Sequence, residues 1–418
     1  MIEFSTFDLP NGLQLIVHQD ESTPLVALNI LYKVGSKHEH EDNTGFAHLF
    51  EHLMFSGSKH VKDFDIPIQM AGGENNAFTN SDMTNFYNVV PRENIETVLW
   101  LESDRMAYLD INQESLDVQK KVVVEEFKEV CLNQPYGDMW HHMSDLAYKV
   151  HSYKWPTIGK DFSHIEKADL QQVKAFYNRF YNPENAIITI AGNIRPDEAH
   201  RLVEKYFGWI ENTPSSIENE LIQTEPPQIE VAVKRLHAKV PAKAIYLGFH
   251  MADRMDREYY VADLITDILS NGRSSRFYQE LYKKTKLFST IDAYISGTLD
   301  PGLLLIEAKL HQDADLDLAK ESIWNELNRL KETEIDEKEL TKLINKLESA
   351  HVYGEISVLN KALNLAYYTY LGDPKMINTQ MEVYQSITPA EIREIAAKLL
   401  TEANCSELVY EPVMDEVH

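Results

Sequence analysis

The chain has 418 residues, a formal net charge of −26 and 44% hydrophobic residues, and this length favours two folded domains of about 200 residues each. An acidic balance without a basic stripe argues against nucleic-acid binding and is compatible with basic or neutral peptide partners. We find no apolar run long enough to span a membrane and no signal peptide, so we expect a cytoplasmic location. Two cysteines are too few for a disulfide framework.

The first predicted elements are strands. Residues 4–19 contain two apolar runs separated by Asn11-Gly12, and this dipeptide between apolar runs is a strong signal for a hairpin turn. The β-rich run from Val26 to Val34 predicts another strand. A helix is predicted to follow, with Asn43 or Thr44 as its N-terminal cap.

The stretch from Thr44 to Phe55 holds the most informative motif of the chain. As a helix, it places His48, Glu51 and His52 on one face, because residues three and four apart are neighbours on a helix. Two imidazoles one turn apart suit a tetrahedral zinc ion, and the glutamate beside them is placed to take a proton from water. Burying these groups without a ligand would leave costly unpaired polar atoms. The motif therefore favours a metal site over an ordinary polar helix face.

A third zinc ligand is expected, because catalytic zinc usually has three protein ligands. The candidate lies in Val122–Val130, a second predicted helix that ends before Pro135-Tyr136-Gly137. Glu125 and Glu126 both have suitable spacing. Adjacent helical residues point about 100° apart, so the spacing leaves both glutamates open.

The rest of the first half alternates between predicted strands and helices. The glycine-rich stretch from Ala71 to Val90 predicts paired strands. Further predicted elements are helices at Glu93–Tyr108, Asp138–Val150 and Pro196–Tyr206 and a strand at Ile187–Gly192. Residues 211–228 have no apolar period and predict a linker.

The second half repeats this outline without the metal motif. A predicted strand at Ala244–His250 precedes a predicted helix at Tyr259–Leu269. Strands at Tyr294–Ser296 and Leu303–Leu310 and helices at Leu316–Lys331 and Asp336–Ser349 are predicted to follow. We therefore predict an α+β fold of two related domains from an internal duplication, each a β-sheet with helices packed on it. The predicted bounds are 1–210 for the metal-binding domain, 211–228 for the linker and 229–418 for the second domain.

The ordered motifs resemble those of the inverted-zincin metallopeptidase family that includes pitrilysin, insulin-degrading enzyme and mitochondrial processing peptidase. The resemblance covers nearly the whole chain and identifies it as a half-size, bacterial-type member. Besides the His-x-x-Glu-His helix, the matching segments are 72–79, 90–91, 101–106, 155–159, 182–186 and 191–193. Such a series is far more specific than one short motif.

The resemblance implies a set of site residues. In the family, the glutamate nine residues before the Pro-Tyr-Gly turn ligates zinc, and Glu126 holds that position here. The implied zinc ligands are His48, His52 and Glu126, the implied general base is Glu51, and the implied substrate-binding residues are Asn76, Ala77 and Phe78. The last three belong to an edge strand that receives the substrate backbone by strand addition. The chain departs from the family at Gln119, where a glutamate commonly helps to order the site.

The function that follows is zinc-dependent endopeptidase action on peptides or unfolded polypeptide segments. The alternatives are a non-catalytic structural subunit and a zinc-binding scaffold of the same family. Family members commonly carry an arginine and a tyrosine seven residues apart in the second domain, and the aligned positions here hold Tyr282 and Ser289. We therefore predict that this chain is the catalytic half of a heterodimer whose homologous partner carries that pair. A homodimer is the alternative.

Overall fold

The computed structural model describes residues 1–213 and 222–413 as strands, helices and their connections. The strands are β1 (Ser5–Asp8), β2 (Gln14–Gln19), β3 (Leu25–Tyr32), β4 (Glu74–Thr79), β5 (Thr84–Pro91), β6 (Ala186–Gly192), β7 (Ala232–Ala238), β8 (Ala244–His250), β9 (Phe288–Ile295), β10 (Leu303–Leu310) and β11 (Cys405–Pro412). The helices are α1 (Phe46–Leu53), α2 (Asp65–Met70), α3 (Ile95–Tyr108), α4 (Gln113–Phe127), α5 (Met139–Ala147), α6 (Phe162–Lys167), α7 (Leu170–Phe180), α8 (Pro196–Phe207), α9 (Arg257–Ser270), α10 (Lys283–Thr285), α11 (Leu316–Glu332), α12 (Glu337–Gly354), α13 (Val358–Tyr370), α14 (Met376–Gln385) and α15 (Pro389–Leu399). None of the helices in these residues is long and apolar enough to cross a membrane.

The chain divides into two compact units, and each is built from three separate segments. The first unit comprises Met1–Phe127, Trp155–Ile222 and Ala350–Thr379, and the second comprises Lys128–Lys154, Gln223–Ser349 and Gln380–His418. These bounds differ from the continuous domains expected from the sequence. Residues 128–154 of the first half belong to the second unit, and residues 350–379 of the second half belong to the first unit. Within the predicted linker, residues 214–221 lie outside the described residues.

The first unit contains a six-stranded sheet in the order β1-β2-β6-β3-β5-β4. Strand β2 runs parallel to β6, while β3 is antiparallel to both β6 and β5. Strand β4 pairs with β5 alone and forms one edge of the sheet. The predicted hairpin is confirmed by the antiparallel pairing of β1 and β2, and Gly12 has a φ of +85° in the connecting turn.

Strand β3 is buried on both faces of this sheet. Its residues Val26, Leu28 and Ile30 belong to the core beneath the main helical layer. On the opposite face, Ala27 contacts Ala362 of α13, a helix from the second half of the sequence. Because successive residues of a strand point to opposite faces, this largely apolar strand needs cover on both sides. The exchange of α13 into the first unit supplies that cover.

The second unit repeats the topology of the first. Its five-stranded sheet has the order β7-β11-β8-β10-β9, with the same parallel and antiparallel directions as β2-β6-β3-β5-β4. Helix α5 packs on one face of this sheet through Met139 and Met143, just as α13 covers the first sheet. The predicted α+β duplication is therefore confirmed. Strand β9 begins earlier than expected, at Phe288, because Phe288 and the residues after it pair with β10.

The packing of α13 generates a stability prediction. Ala362 is fully buried against Ala27 and Ala191, so Ala362→Leu should force extra atoms into a filled interface. We expect a loss of about 1–3 kcal/mol in the free energy of unfolding, measured by urea unfolding followed by circular dichroism. The matched control is Ala350→Leu, an exposed alanine on α12, which should change stability by less than about 0.5 kcal/mol. Equal effects of the two substitutions would contradict the described packing.

Candidate metal centre

Helix α1 presents its apolar residues to the core and its motif residues to the other side. Phe50 is fully buried and stacks on Phe176 of α7 and on Tyr181, with ring centroids 5.3 and 5.0 Å apart. His48, Glu51 and His52 remain partly accessible. The helical period of the sequence therefore holds the three motif residues on one face, as predicted.

The predicted cap of α1 is wrong. The N-cap residue is Gly45, which has a left-handed φ of +89° and no side chain to accept a hydrogen bond. Thr44 instead accepts a hydrogen bond at Oγ1 from the backbone N–H of Lys160, at 2.8 Å. A Cβ atom at Gly45 would approach the carbonyl oxygen of Ile158 to 3.0 Å. The close approach of this neighbouring segment, rather than local capping preference, decides the helix start.

The three predicted metal ligands lie together. Nε2 of His48 is 3.6 Å from Oε1 of Glu126, and Nε2 of His52 is 3.3 Å from Oε2 of the same carboxylate. All three ligand atoms lie within 4.8 Å of one another, and no other group of this kind is found in the described residues. Helix α1 contacts α4, and that packing brings Glu126 across to the two imidazoles.

The spacing of these atoms fits a tetrahedral metal ion. With zinc–ligand bonds of about 2.0–2.1 Å, neighbouring ligand atoms of a tetrahedron are separated by roughly 3.3–3.4 Å. The two measured separations, 3.6 and 3.3 Å, lie close to that value. Two imidazole nitrogens and a carboxylate form a common donor set of catalytic zinc sites, in which a fourth position stays open. The residues present therefore fit zinc.

The protonation states of the cluster also suit metal binding. Burial lowers the pKa of His48, although the nearby Glu126 carboxylate opposes this shift. The hydrogen bond from His52 lowers the pKa of Glu126, against a smaller opposing effect of burial. A neutral imidazole and an ionised carboxylate are the forms that coordinate a metal. The surroundings thus favour the coordinating state of both groups near neutral pH.

The sequence spacing could not show whether Glu125 or Glu126 is the third ligand, but the two glutamates differ in position. Glu126 is half-buried within the cluster, whereas Glu125 is exposed and lies outside it. Val123 and Val124 are buried, and their packing fixes the rotation of α4. The direction in which each glutamate points therefore follows from the apolar face of α4.

The predicted substrate-binding residues lie on the edge strand. Asn76, Ala77 and Phe78 belong to β4, whose only pairing among the described strands is with β5. Helix α1 contacts β4, so the metal cluster and the edge strand are neighbours. The backbone N–H of Ala77 donates to Oδ1 of Asn76 at 2.8 Å. The exposed edge offers backbone groups to which an extended peptide could pair.

Gln119 lies on α4, two turns before Glu126. It lines a cavity of about 360 Å³ together with Ser56, Gly57, Lys62 and Val118. An amide at this position retains hydrogen-bonding groups without a negative charge.

Glu39 is a further residue of the site that the sequence patterns did not reveal. Its carboxylate is buried and accepts hydrogen bonds from the backbone N–H groups of Gly45 and Ala47, both at 2.8 Å. Burial raises the pKa of Glu39 to about 8, while the N–H donors oppose the shift. No local pattern signals this contact, because Glu39 precedes the helix by a loop of several residues.

Comparison with known proteins gives consistent results. Residues 14–160 match the family described as insulinase, peptidase family M16, and residues 167–347 match the peptidase M16 inactive domain. The zinc protease PqqE of Helicobacter pylori is 28% identical over 80% of this chain and 76% of its own length. A probable mitochondrial-processing peptidase subunit beta of Arabidopsis thaliana is 22% identical, over 82% of this chain and 66% of its own. A protease crystal structure from Helicobacter pylori has the same fold, with a TM-score of 0.94, 24% identity and coverage of 99% of this chain and all of that one.

The cluster geometry predicts which glutamate matters for metal retention. Glu126→Gln should sharply lower zinc content after dialysis, because a neutral amide is a far weaker ligand than a carboxylate. Glu125→Gln is the matched control and should retain zinc, since Glu125 lies outside the cluster. Atomic absorption on the purified proteins measures both. A reversed order of zinc loss would show that the third ligand has been assigned to the wrong residue.

Proposed function

This chain belongs to the M16 family of peptidases, and we propose that it is a zinc-dependent endopeptidase that cleaves peptides or unfolded polypeptide segments. One observation carries the proposal. His48, His52 and Glu126 converge at separations suited to a tetrahedral zinc ion, and Glu51 lies on the same short helix. The relatives named zinc proteases support the same cofactor and chemistry.

The mechanism assigns a separate task to each residue. His48, His52 and Glu126 would hold zinc, which when bound would polarise the peptide carbonyl and make water more acidic. Glu51 follows His48 by three residues and directly precedes His52, so its carboxylate lies on the same side of α1 as the two imidazoles. It takes a proton from the attacking water and passes that proton to the leaving nitrogen. Bond cleavage thus needs no side chain as a covalent nucleophile.

The substrate backbone is held by β4. An extended peptide adds to the free edge of this strand, next to the α1 helix that carries the metal ligands and Glu51. Asn76 and Phe78 are exposed along β4, whereas Ala77 packs towards the core. Backbone pairing is independent of side-chain identity, so this edge suits substrates that are unfolded or short enough to be extended.

The chain is proposed to work with a homologous partner. In the second unit, Tyr282 is partly exposed and stacks on Tyr278 at 5.3 Å, while Ser289 donates from Oγ to the backbone oxygen of Lys309. Neither side chain offers the cation that the arginine position supplies in the family. The relative named as subunit beta of a processing peptidase supports a two-chain enzyme. A heterodimer is therefore favoured, with a homodimer as the alternative.

The role of Glu51 gives a direct test of catalysis. Glu51→Gln leaves the three zinc ligands in place and removes the group that accepts the proton. We expect normal zinc content and a fall in kcat of at least about 10²–10⁴-fold, measured with a fluorogenic peptide. A variant that cleaves the peptide at the wild-type rate would rule out the assigned mechanism. Wild-type protein that binds zinc but shows no cleavage, even with the homologous partner chain present, would favour the zinc-binding scaffold.

The partner proposal predicts low activity for the isolated chain. Loss of one oxyanion donor costs about 10²–10³-fold in rate, so the chain alone should cleave slowly. Adding a homologous chain that lacks His-x-x-Glu-His but has the arginine and tyrosine should restore the rate. Size-exclusion chromatography of the mixture should show a complex of two chains. Full activity of the isolated chain, unchanged by the second protein, would overturn the heterodimer proposal.

A further inference from the structure

Helix α1 is too short to position a metal site unaided. It has eight residues, and His48 and His52 occupy its third and seventh positions. Isolated helices shorter than about 12–15 residues are marginal in water, and the first backbone N–H groups of any helix lack partners within it. Gly45 at the N-cap has no side chain to accept from them. The start of the metal-binding helix therefore depends on an acceptor from elsewhere.

Glu39 is that acceptor. Its Oε2 accepts from the N–H of Gly45 and its Oε1 from the N–H of Ala47, each at 2.8 Å. Ala47 directly precedes His48, so the second bond fixes the backbone next to the first metal ligand. Only 7% of Glu39 is exposed. Both of its side-chain oxygens are used as acceptors at the start of the helix.

The segment that carries Glu39 is itself anchored to the turn after the edge strand. The backbone N–H groups of Ser36 and Lys37 donate to the carbonyl oxygens of Asn80 and Ser81, at 3.2 and 2.9 Å. These two acceptors lie in the turn between β4 and β5.

Two further contacts reinforce this anchor. The Lys37 ammonium pairs with the buried Asp82 carboxylate at 2.8 Å. A Cβ atom at Gly35 would collide with the carbonyl oxygen of Asn80, so the two backbones are in direct contact. The segment holding Glu39 therefore has little freedom to move relative to the β4–β5 turn.

The segment after α5 also contacts the segment that carries Glu39. The Trp155 indole N–H donates to the carbonyl oxygen of Ser36 at 2.9 Å, and Trp155 also opposes the rise that burial causes in the pKa of Glu39. Trp155 is only 4% exposed. The segment containing Glu39 is thus held between the β4–β5 turn and a buried tryptophan.

We propose that Glu39 is a positioning residue. It fixes the position of α1, the helix that carries His48 and His52, relative to the β4–β5 hairpin. Through Glu39, the backbone of His48 is tied to the turn at the end of the strand assigned to the substrate. The consequence for peptide cleavage rests on the proposed function, whereas the consequence for zinc binding does not. Residues that orient metal ligands typically change metal affinity or activity by 10–100-fold when substituted.

The test compares Glu39→Gln with a cap removed from an equivalent helix. Glutamine keeps the size of the side chain but replaces one acceptor oxygen with an NH₂ group, which cannot accept from a backbone N–H. The matched control is Asp256→Ala, because Asp256 accepts from the N–H of Glu258 at the start of α9. Helix α9 follows β8 as α1 follows β3, and it carries no metal ligand. Trp155→Phe is a second, milder variant that removes the indole N–H and retains an aromatic ring.

Zinc affinity is measured by competition with a chromophoric chelator, and ligand geometry by the visible absorption of the cobalt-loaded protein. We expect Glu39→Gln to weaken zinc binding by about 10–100-fold and to alter the cobalt spectrum. Trp155→Phe should shift both in the same direction by less, and Asp256→Ala should change neither. Thermal unfolding of the metal-free proteins reports general destabilisation separately.

Each outcome decides the proposal. If Glu39→Gln lowers the unfolding temperature but retains wild-type zinc affinity and cobalt spectrum, Glu39 is merely structural and the proposal fails. If Glu39→Gln does not fold, an unchanged zinc affinity and cobalt spectrum in Trp155→Phe overturns it instead. Weakened zinc binding in Glu39→Gln, alongside a wild-type protein that cleaves no peptide even with the homologous partner chain present, would support the positioning role while rejecting the peptidase function.

Discussion

Burial of β3 on both faces is the constraint on which the rest of the first unit depends. Its alternate residues face two separate apolar layers, with Leu28 in one and Ala27 in the other. Burying a large aliphatic side chain contributes about 1.5–3 kcal/mol, so neither face could be left open without a large loss. The chain meets this need by covering one face with local helices and the other with α13. Helix α1 follows the central strand of this doubly covered sheet.

The metal cluster places ionisable groups where burial alone would disfavour them. An unpaired buried charge is costly, and opposite partners or hydrogen bonds must offset that cost. Glu126 is held by two imidazoles, and Glu39 by the backbone N–H groups of α1. A bound cation would add a favourable partner for Glu126, since the carboxylate and the imidazoles all point towards one position.

The features predictable from the sequence were those encoded by local patterns. The Asn11-Gly12 turn, the apolar run of β3 and the three-and-four spacing of the motif each specify structure within a few residues. Contacts between distant segments were not predictable in this way. The start of α1 follows from the approach of Ile158 to Gly45, and the domain bounds follow from the packing of α13. Spacing could not show which of Glu125 and Glu126 faces the two imidazoles, because the rotation of α4 is set by its buried face.

Duplication makes the contrast between α1 and α9 informative. Both helices follow the central strand of their sheet, but α9 has 14 residues and its own cap in Asp256, whereas α1 has eight and begins at a glycine. A longer, self-capped helix gains stability from its own hydrogen bonds and packing. The shorter helix must take its orientation from outside, through Glu39 at its start and the packing of Phe50 along its length. The helix that carries the metal motif, α1, therefore has low stability of its own. Contacts with distant segments determine the placement of His48 and Glu51.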